Sequence, residues 1–158
     1  MNLFLPSVGL RQVSPHWFAS RDGDAAARLL FDRHYSRRKY KDGRKPKIFV
    51  GPGEKTVLVS EPGDALFVWR KFIDASGQKG VNCAIFRNEG DVLSSTLIRE
   101  ADAVAWQRWP GERLYTFVNG RVVKGDGACF KHAGWRRCGR TKTRRLIILE
   151  LLPPEAAP

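Results

Sequence analysis

Acidic residues are scarce in this chain. Its 158 residues hold 16 Asp and Glu against 28 Lys and Arg, a formal net charge of +12. Such an imbalance implies an acidic partner, most directly nucleic acid. Cysteine is scarce too. Three cysteines, an odd number without framework spacing, exclude a disulfide-stapled scaffold and fit a reducing cytoplasm. Long apolar runs are absent, so no segment reads as a membrane span. The opening Met1-Asn2-Leu3-Phe4-Leu5-Pro6 lacks the basic start and full apolar region of a signal peptide. Repeats and linkers are also missing. The length then fits one domain able to bury a core without metal or disulfide help. Its core runs over about residues 20–152, between a weakly patterned lead-in (1–19) and a Pro-rich tail (153–158).

What is present is organised around residues 81–109. Val81-Asn82-Cys83-Ala84-Ile85-Phe86 is a short apolar run that reads as a buried strand. A polar loop, Arg87-Asn88-Glu89-Gly90-Asp91, leads into a helix at Leu93-Ser94-Ser95. Ser94 is the expected N-cap, with Leu93 and Ile98 as a hydrophobic staple. Leu97, Ala101, Val104, Ala105 and Trp109 fall on one helical face, and Pro110-Gly111 ends the helix. A strand feeding a helix N-terminus can hold an anion, because unpaired N–H groups and the helix dipole point the same way. The same pattern also suits a helix that is merely capped.

The rest of the chain supplies the layers. A strand is expected near residues 10–13 and a helix over about 25–35, capped by Asp24, with Ala26, Leu29, Leu30 and Arg33 on its face. Residues 47–50 and 56–60 read as a hairpin around Gly51-Pro52-Gly53, followed by strands over 65–73 and 113–118. A short helix over 128–133 ends at Gly134, and strands near 135–138 and 145–151 close the chain. The order β-α-β-β-β-α-β-α-β-β predicts an α/β (α+β) domain: a mixed, twisted sheet of about 6–7 strands flanked by 3–4 helices.

That order, with Gly127-Ala128-Cys129-Phe130-Lys131-His132-Ala133-Gly134-Trp135, resembles the GNAT acyltransferase fold over roughly residues 20–150. The resemblance implies that the central strand, loop and helix occupy the place of an acetyl-CoA pyrophosphate. Two departures stand out. Arg87-Asn88-Glu89-Gly90-Asp91-Val92 keeps the Arg and first Gly of the family's loop but carries two acids, and Phe130 stands where a tyrosine often serves as general acid. A narrower resemblance joins several motifs: His34-Tyr35-Ser36 before a basic loop, Phe86-Arg87-Asn88, Ser94-Ser95, and Cys129-Phe130-Lys131 through Gly139-Arg140-Thr141-Lys142. These look like the phage DNA-modification proteins related to Mom of phage Mu. That likeness implies a phage enzyme working in the bacterial cytoplasm on double-stranded DNA, converting the N6 amine of adenine to a carbamoylmethylated form that blocks host restriction.

An exocyclic adenine amine is a weak nucleophile, so such chemistry needs a positioned electrophile, a base at the amine and access to an extruded nucleotide. His34 is the candidate base, since a neutral imidazole accepts a proton near pH 7. Tyr35 and Tyr115 are further catalytic candidates, although Tyr115, beside apolar Leu114, can equally face the core. Arg87 is a candidate both for catalysis and for anchoring the incoming group, with Ser94 and Ser95 beside it; a pair with Glu89 or Asp91 is its structural alternative. Tyr40, Trp69 and Trp135 can stack on a base, but Trp69 and Trp135 read first as core. Two basic clusters, 33–47 and 136–145, offer phosphate contacts through Ser36, Arg37, Arg38, Lys39, Lys41, Arg44, Lys45, Arg140 and Lys142. The donor is not specified, although acetyl-CoA or a related CoA-type donor fits the resemblance. Cys129-x-x-His132 with Cys83 and Cys138 is too loosely spaced to predict zinc. Two alternatives stay open: an acetyl-CoA-dependent acetyltransferase acting on a protein or small-molecule amine, and a non-catalytic DNA-binding protein on a degenerate acyltransferase scaffold.

Overall fold

Strand alternation sorts the apolar residues onto two faces of one sheet, and the helices cover those faces. The computed structural model describes residues 10–21, 24–32, 52–61, 63–73 and 75–154. In chain order the strands are β1 (Arg11–Gln12), β2 (Trp17–Ser20), β3 (Glu54–Ser60), β4 (Ala65–Lys71), β5 (Val81–Asn88), β6 (Leu114–Val118), β7 (Arg136–Arg140) and β8 (Ile147–Leu151). The helices are α1 (Ala25–Asp32), α2 (Ser94–Arg108) and α3 (Ala128–His132), with a 3-10 turn at Lys124–Asp126. The eight strands form one sheet in the order β1-β2-β3-β4-β5-β6-β8-β7. Among the described strands only β5 and β6 run parallel.

The mixed α/β architecture matches the expectation, and the strand count exceeds the expected 6–7. The strand not foreseen is β2. It is four residues long and follows Ser14-Pro15-His16, so its local signal is weak; tertiary contacts hold it. Trp17 is fully buried and its Nε1 donates to the Leu97 carbonyl at 2.9 Å. Glu100 accepts from Ser14 Oγ at 2.7 Å and from the His16 N–H at 2.9 Å, tying the β1–β2 turn to α2. The supposed lead-in therefore carries strand at residues 11–12 and 17–19. Residues 47–50 of the expected hairpin lie outside the described residues, and β3 instead pairs with β2 and β4.

One face packs against α2 and α3. There Trp17, Leu58, Phe67, Trp69, Val81, Cys83, Leu114 and Leu149 meet Leu97, Ile98, Ala101, Phe130 and Trp135. Burying residues the size of Leu97 and Ile98 stabilises by roughly 1.5–3 kcal/mol each. The other face carries α1, whose Ala27 and Leu30 pack with Val57, Val59, Leu66, Val68 and Ile85. The expected α1 face shifts accordingly, since Leu29 is exposed. Asp24 does cap α1, accepting from the Ala27 N–H at 3.3 Å. A bulge lets the central strand serve both faces. Val68 pairs with Ile85 and Trp69 with Cys83, so Ala84 is the extra residue.

The start of α2 differs from the expected cap. The helix begins at Ser94 itself, Leu93 holds the cap position without a side-chain bond, and no staple forms because Leu93 is 69% exposed. Asn88 explains the change: its Nδ2 donates to the Val92 carbonyl at 2.7 Å and to Ser94 Oγ at 3.0 Å, turning that hydroxyl toward the strand end. At α3 the terminus is as expected. The Trp135 N–H reaches the Phe130 carbonyl and the Gly134 N–H the Lys131 carbonyl, both at 3.0 Å, with Gly134 at φ +96° in a Schellman motif. Among the described residues no helix is long and apolar enough to cross a membrane.

Candidate active site

The parallel β5–β6 pair opens a cleft. β5 and β6 are in register only at Val81↔Leu114, Asn82↔Tyr115 and Cys83↔Thr116. Thr116 Oγ1 donates to the Cys83 carbonyl at 2.9 Å, and beyond that bond the two strands part. The gap is bordered by Ala84, Ile85 and Phe86 on one side, by Phe117 and Val118 on the other, and by Cys129 and Phe130 of α3. Its volume is about 100 Å³. Sites that enclose a whole small ligand run to roughly 300–1,000 Å³, so this slot takes one narrow arm of a larger molecule. Burial pushes the thiols of Cys83 and Cys129 above their usual range, so neither stands as a thiolate nucleophile at neutral pH.

The loop between β5 and α2 is closed upon itself. The Glu89 N–H donates to the Asp64 carbonyl at 2.7 Å, and the Gly90 N–H to Asn88 Oδ1 at 3.0 Å. A Cβ built on Gly90 would lie 2.2 Å from Asp64 Oδ2, so a carboxylate occupies the space beside this glycine. Ser60 Oγ fastens that carboxylate by donating to Asp64 Oδ1 at 2.8 Å. Arg87 Nε lies 2.5 Å from Glu89 Oε2. With Asp64, Glu89 and Asp91 so near the helix start, these residues do not fit the diphosphate of a CoA-type donor.

The expected site residues separate into groups. Arg87 pairs with Leu66, a core residue of the α1 face, and paired side chains share a face, so Arg87 stands on the α1 side of the sheet. Its pairing with Glu89 is the structural alternative named for it. Tyr115 follows Leu114, which lies in the α2 face, and so also points to the α1 side. It is fully buried, edge-on to Phe117 at 5.6 Å and beneath the Arg113 guanidinium at 5.1 Å. Ser94 meets Asn88, while Ser95 is buried in the first turn of α2. Arg140 is on edge strand β7 and Lys142 in the turn after it, both exposed. His34, Tyr35, Ser36, Arg37, Arg38, Lys39, Lys41, Arg44 and Lys45 lie outside the described residues.

Two aromatics offered for base stacking belong to the core. Trp69 and Trp135 stack on each other at 6.2 Å with 12° between planes, and Trp69 Nε1 donates to the Ala101 carbonyl at 2.8 Å. Phe130 packs edge-on to Trp135 at 4.9 Å and to Phe86 at 5.9 Å. Asp102, one turn along α2 from Ile98, was not foreseen. It is 3% exposed, accepts from Trp135 Nε1 at 3.2 Å, and burial raises its carboxyl to about 7. Its sequence neighbourhood, Ala101-Asp102-Ala103-Val104, marks it only by the presence of an acid on an otherwise apolar face. Among the described residues no three His, Cys, Asp or Glu gather to hold a metal. Comparison with models of known protein families, with curated proteins and with solved structures finds no match for this chain.

Proposed function

We propose that the protein is a phage DNA-modification enzyme on a GNAT-like scaffold, transferring a small acyl-like or carbamoylmethyl group to adenine N6 in double-stranded DNA. The observation that carries this reading is the parted β5–β6 pair, which leaves a slot for one narrow arm of a donor. The net charge of +12 supports a polyanionic substrate. In the step we envisage, the N6 nitrogen attacks an electrophilic carbon of the donor. The N6–C bond forms as the bond to the leaving group breaks, and the proton lost from N6 passes to the His34 imidazole. Arg87 orients the incoming group, and Tyr35 shapes the pocket around the amine. The misfit of the β5–α2 loop with a diphosphate favours a donor other than acetyl-CoA, and with it disfavours an ordinary acetyltransferase.

Plasmid DNA recovered from bacteria expressing the protein tests this reading. Resistance to restriction enzymes with adenine in their sites, lost with His34→Ala, is the expected outcome. Complete cutting of DNA from cells rich in folded protein would contradict it. Salt-sensitive DNA binding together with complete cutting would favour a non-catalytic binding protein instead.

A further inference from the structure

Two turns face each other at the end of the sheet where the cleft opens. The first follows β6: Asn119 accepts from the N–H groups of Val122 and Val123 through its carbonyl and from that of Arg121 through Oδ1, at 2.9–3.1 Å. The second joins β7 to β8. There the Thr141 N–H donates to the Leu146 carbonyl and the Leu146 N–H to Thr141 Oγ1, each at 2.9 Å. Between them lies a groove of about 560 Å³ lined by Arg121, Arg140, Arg144 and Arg145, and Asp126 is the one carboxylate among its described lining residues. A second groove of about 590 Å³ continues on the far side of the β7–β8 turn, adding Lys142.

The backbone here is held in a costly form. Asp126 at φ +52° and Arg145 at φ +51° are the two non-glycine residues with positive φ among those described, and both line this groove. Left-handed backbone costs a non-glycine residue on the order of 1 kcal/mol or more, and such strain clusters where function requires it. Arg140 Nη1 donates to the Arg145 carbonyl at 3.1 Å, which holds the strained residue in place. A Cβ on Gly120 would lie 2.6 Å from Asp126 Oδ1, so a side chain there would have to displace that carboxylate.

We propose that this groove seats the sugar–phosphate backbone of duplex DNA, with Arg121, Arg144 and Arg145 contacting phosphates. This rests on the DNA reading above and adds the surface that carries the duplex. The cations come from two separate turns and spread along two adjoining grooves, which suits an extended polyanion rather than a compact one. Exposed guanidiniums give forked, bidentate contacts to phosphate. The position is apt as well. Val118 and Gly127 border the cleft while their chain neighbours Asn119 and Asp126 border the groove, so a strand gripped here lies beside the slot.

Fluorescence anisotropy with a labelled 20-base-pair duplex, titrated between 50 and 200 mM salt, tests the proposal; those conditions follow the range over which phosphate contacts are lost, roughly 50–200 mM. Against wild type stand the Arg121→Gln/Arg144→Gln double variant, the charge-keeping Arg144→Lys, and Arg145→Gly, which removes a charge while relaxing the backbone. The double variant should lose roughly 10–30-fold in affinity at 150 mM salt and about 1.8 from the log–log salt slope, at about 0.9 per phosphate contact. Arg144→Lys should keep the slope. Arg145→Gly should bind more weakly with a melting temperature equal to or above wild type. Wild-type binding with unchanged affinity and slope in the double variant and in Arg145→Gly would overturn the groove and leave the DNA reading standing. No duplex binding by wild type would remove both.

Discussion

Trp135 Nε1 donates to Asp102 Oδ2 at 3.2 Å in a space closed to solvent, joining the residue before β7 to the middle of α2. The other carboxylate oxygen, Oδ1, is buried without a hydrogen-bond partner. Burial raises this carboxyl from an ordinary 3.8 to about 7, so the folded protein keeps a proton that the unfolded chain releases. A raised acid stabilises the fold most at low pH, and its contribution falls as pH climbs between these two values. The full loss is on the order of 4 kcal/mol, at about 1.4 kcal/mol for each pH unit. Asp102→Asn removes the titration and keeps an acceptor for Trp135. Urea unfolding at pH 5 and pH 8 should show a clear decline for wild type and a much flatter response for the variant. Equal declines in the two proteins would contradict a buried neutral carboxyl.

Glu150 works in the opposite sense. Arg113 Nε donates to its Oε1 at 2.7 Å and Arg136 Nε to its Oε2 at 3.0 Å, binding β8 to β7 and to the residue before β6. These hydrogen bonds hold the carboxyl below its usual range. A depressed acid stabilises above the ordinary carboxylate pKa and loses that contribution as pH falls through the folded value. Glu150→Gln should cost about 2 kcal/mol at pH 7, the scale of hydrogen bonds to charged groups, and much less near pH 2. Denaturant midpoints for both proteins at the two pH values check this, and an equal deficit at both would contradict it.

Gly90 and Asp64 should behave as a coupled pair. A methyl group at residue 90 would collide with Asp64 Oδ2, so Gly90→Ala should destabilise by about 1–3 kcal/mol, the usual scale of overpacking. Shortening the acid in Asp64→Ala should recover part of that loss in the double variant, because the clash is with a side-chain oxygen. A thermodynamic cycle over the four proteins measures the coupling. Strict additivity would mean that Gly90 is required for another reason.

The slot itself can be filled. Val123 borders it from the loop after β6, and Val123→Phe should occupy the volume with little disturbance of the sheet. DNA modification should drop at least tenfold while duplex binding and melting temperature stay near wild type. Undiminished modification would place the donor elsewhere.

The sequence made some of this legible and hid the rest for physical reasons. The central strand was clear from its short apolar run and α2 from a regular helical apolar period, and Gly134 marked its helix end because only a left-handed residue satisfies the last carbonyls there. β2 was hidden because its stability comes from contacts to α2, made by Trp17 and by the Ser14 and His16 bonds to Glu100. Ser94 read as a cap because local spacing favours it, yet Asn88, six residues earlier, takes its hydroxyl. The basic residues near the C-terminus were visible as a cluster, but Arg121 joins them only because β6 and β8 are neighbours in the sheet. Asp102 was invisible as a perturbed acid, since burial is a property of the folded layers.

Mass spectrometry of nucleosides from cellular DNA tests the central claim most directly. DNA from bacteria expressing the wild-type protein should contain a deoxyadenosine adduct whose mass matches the carbamoylmethyl or another small acyl-like group. The same DNA from cells expressing His34→Ala at equal level should lack it. Unmodified deoxyadenosine from cells rich in folded wild-type protein would contradict the proposed DNA modification.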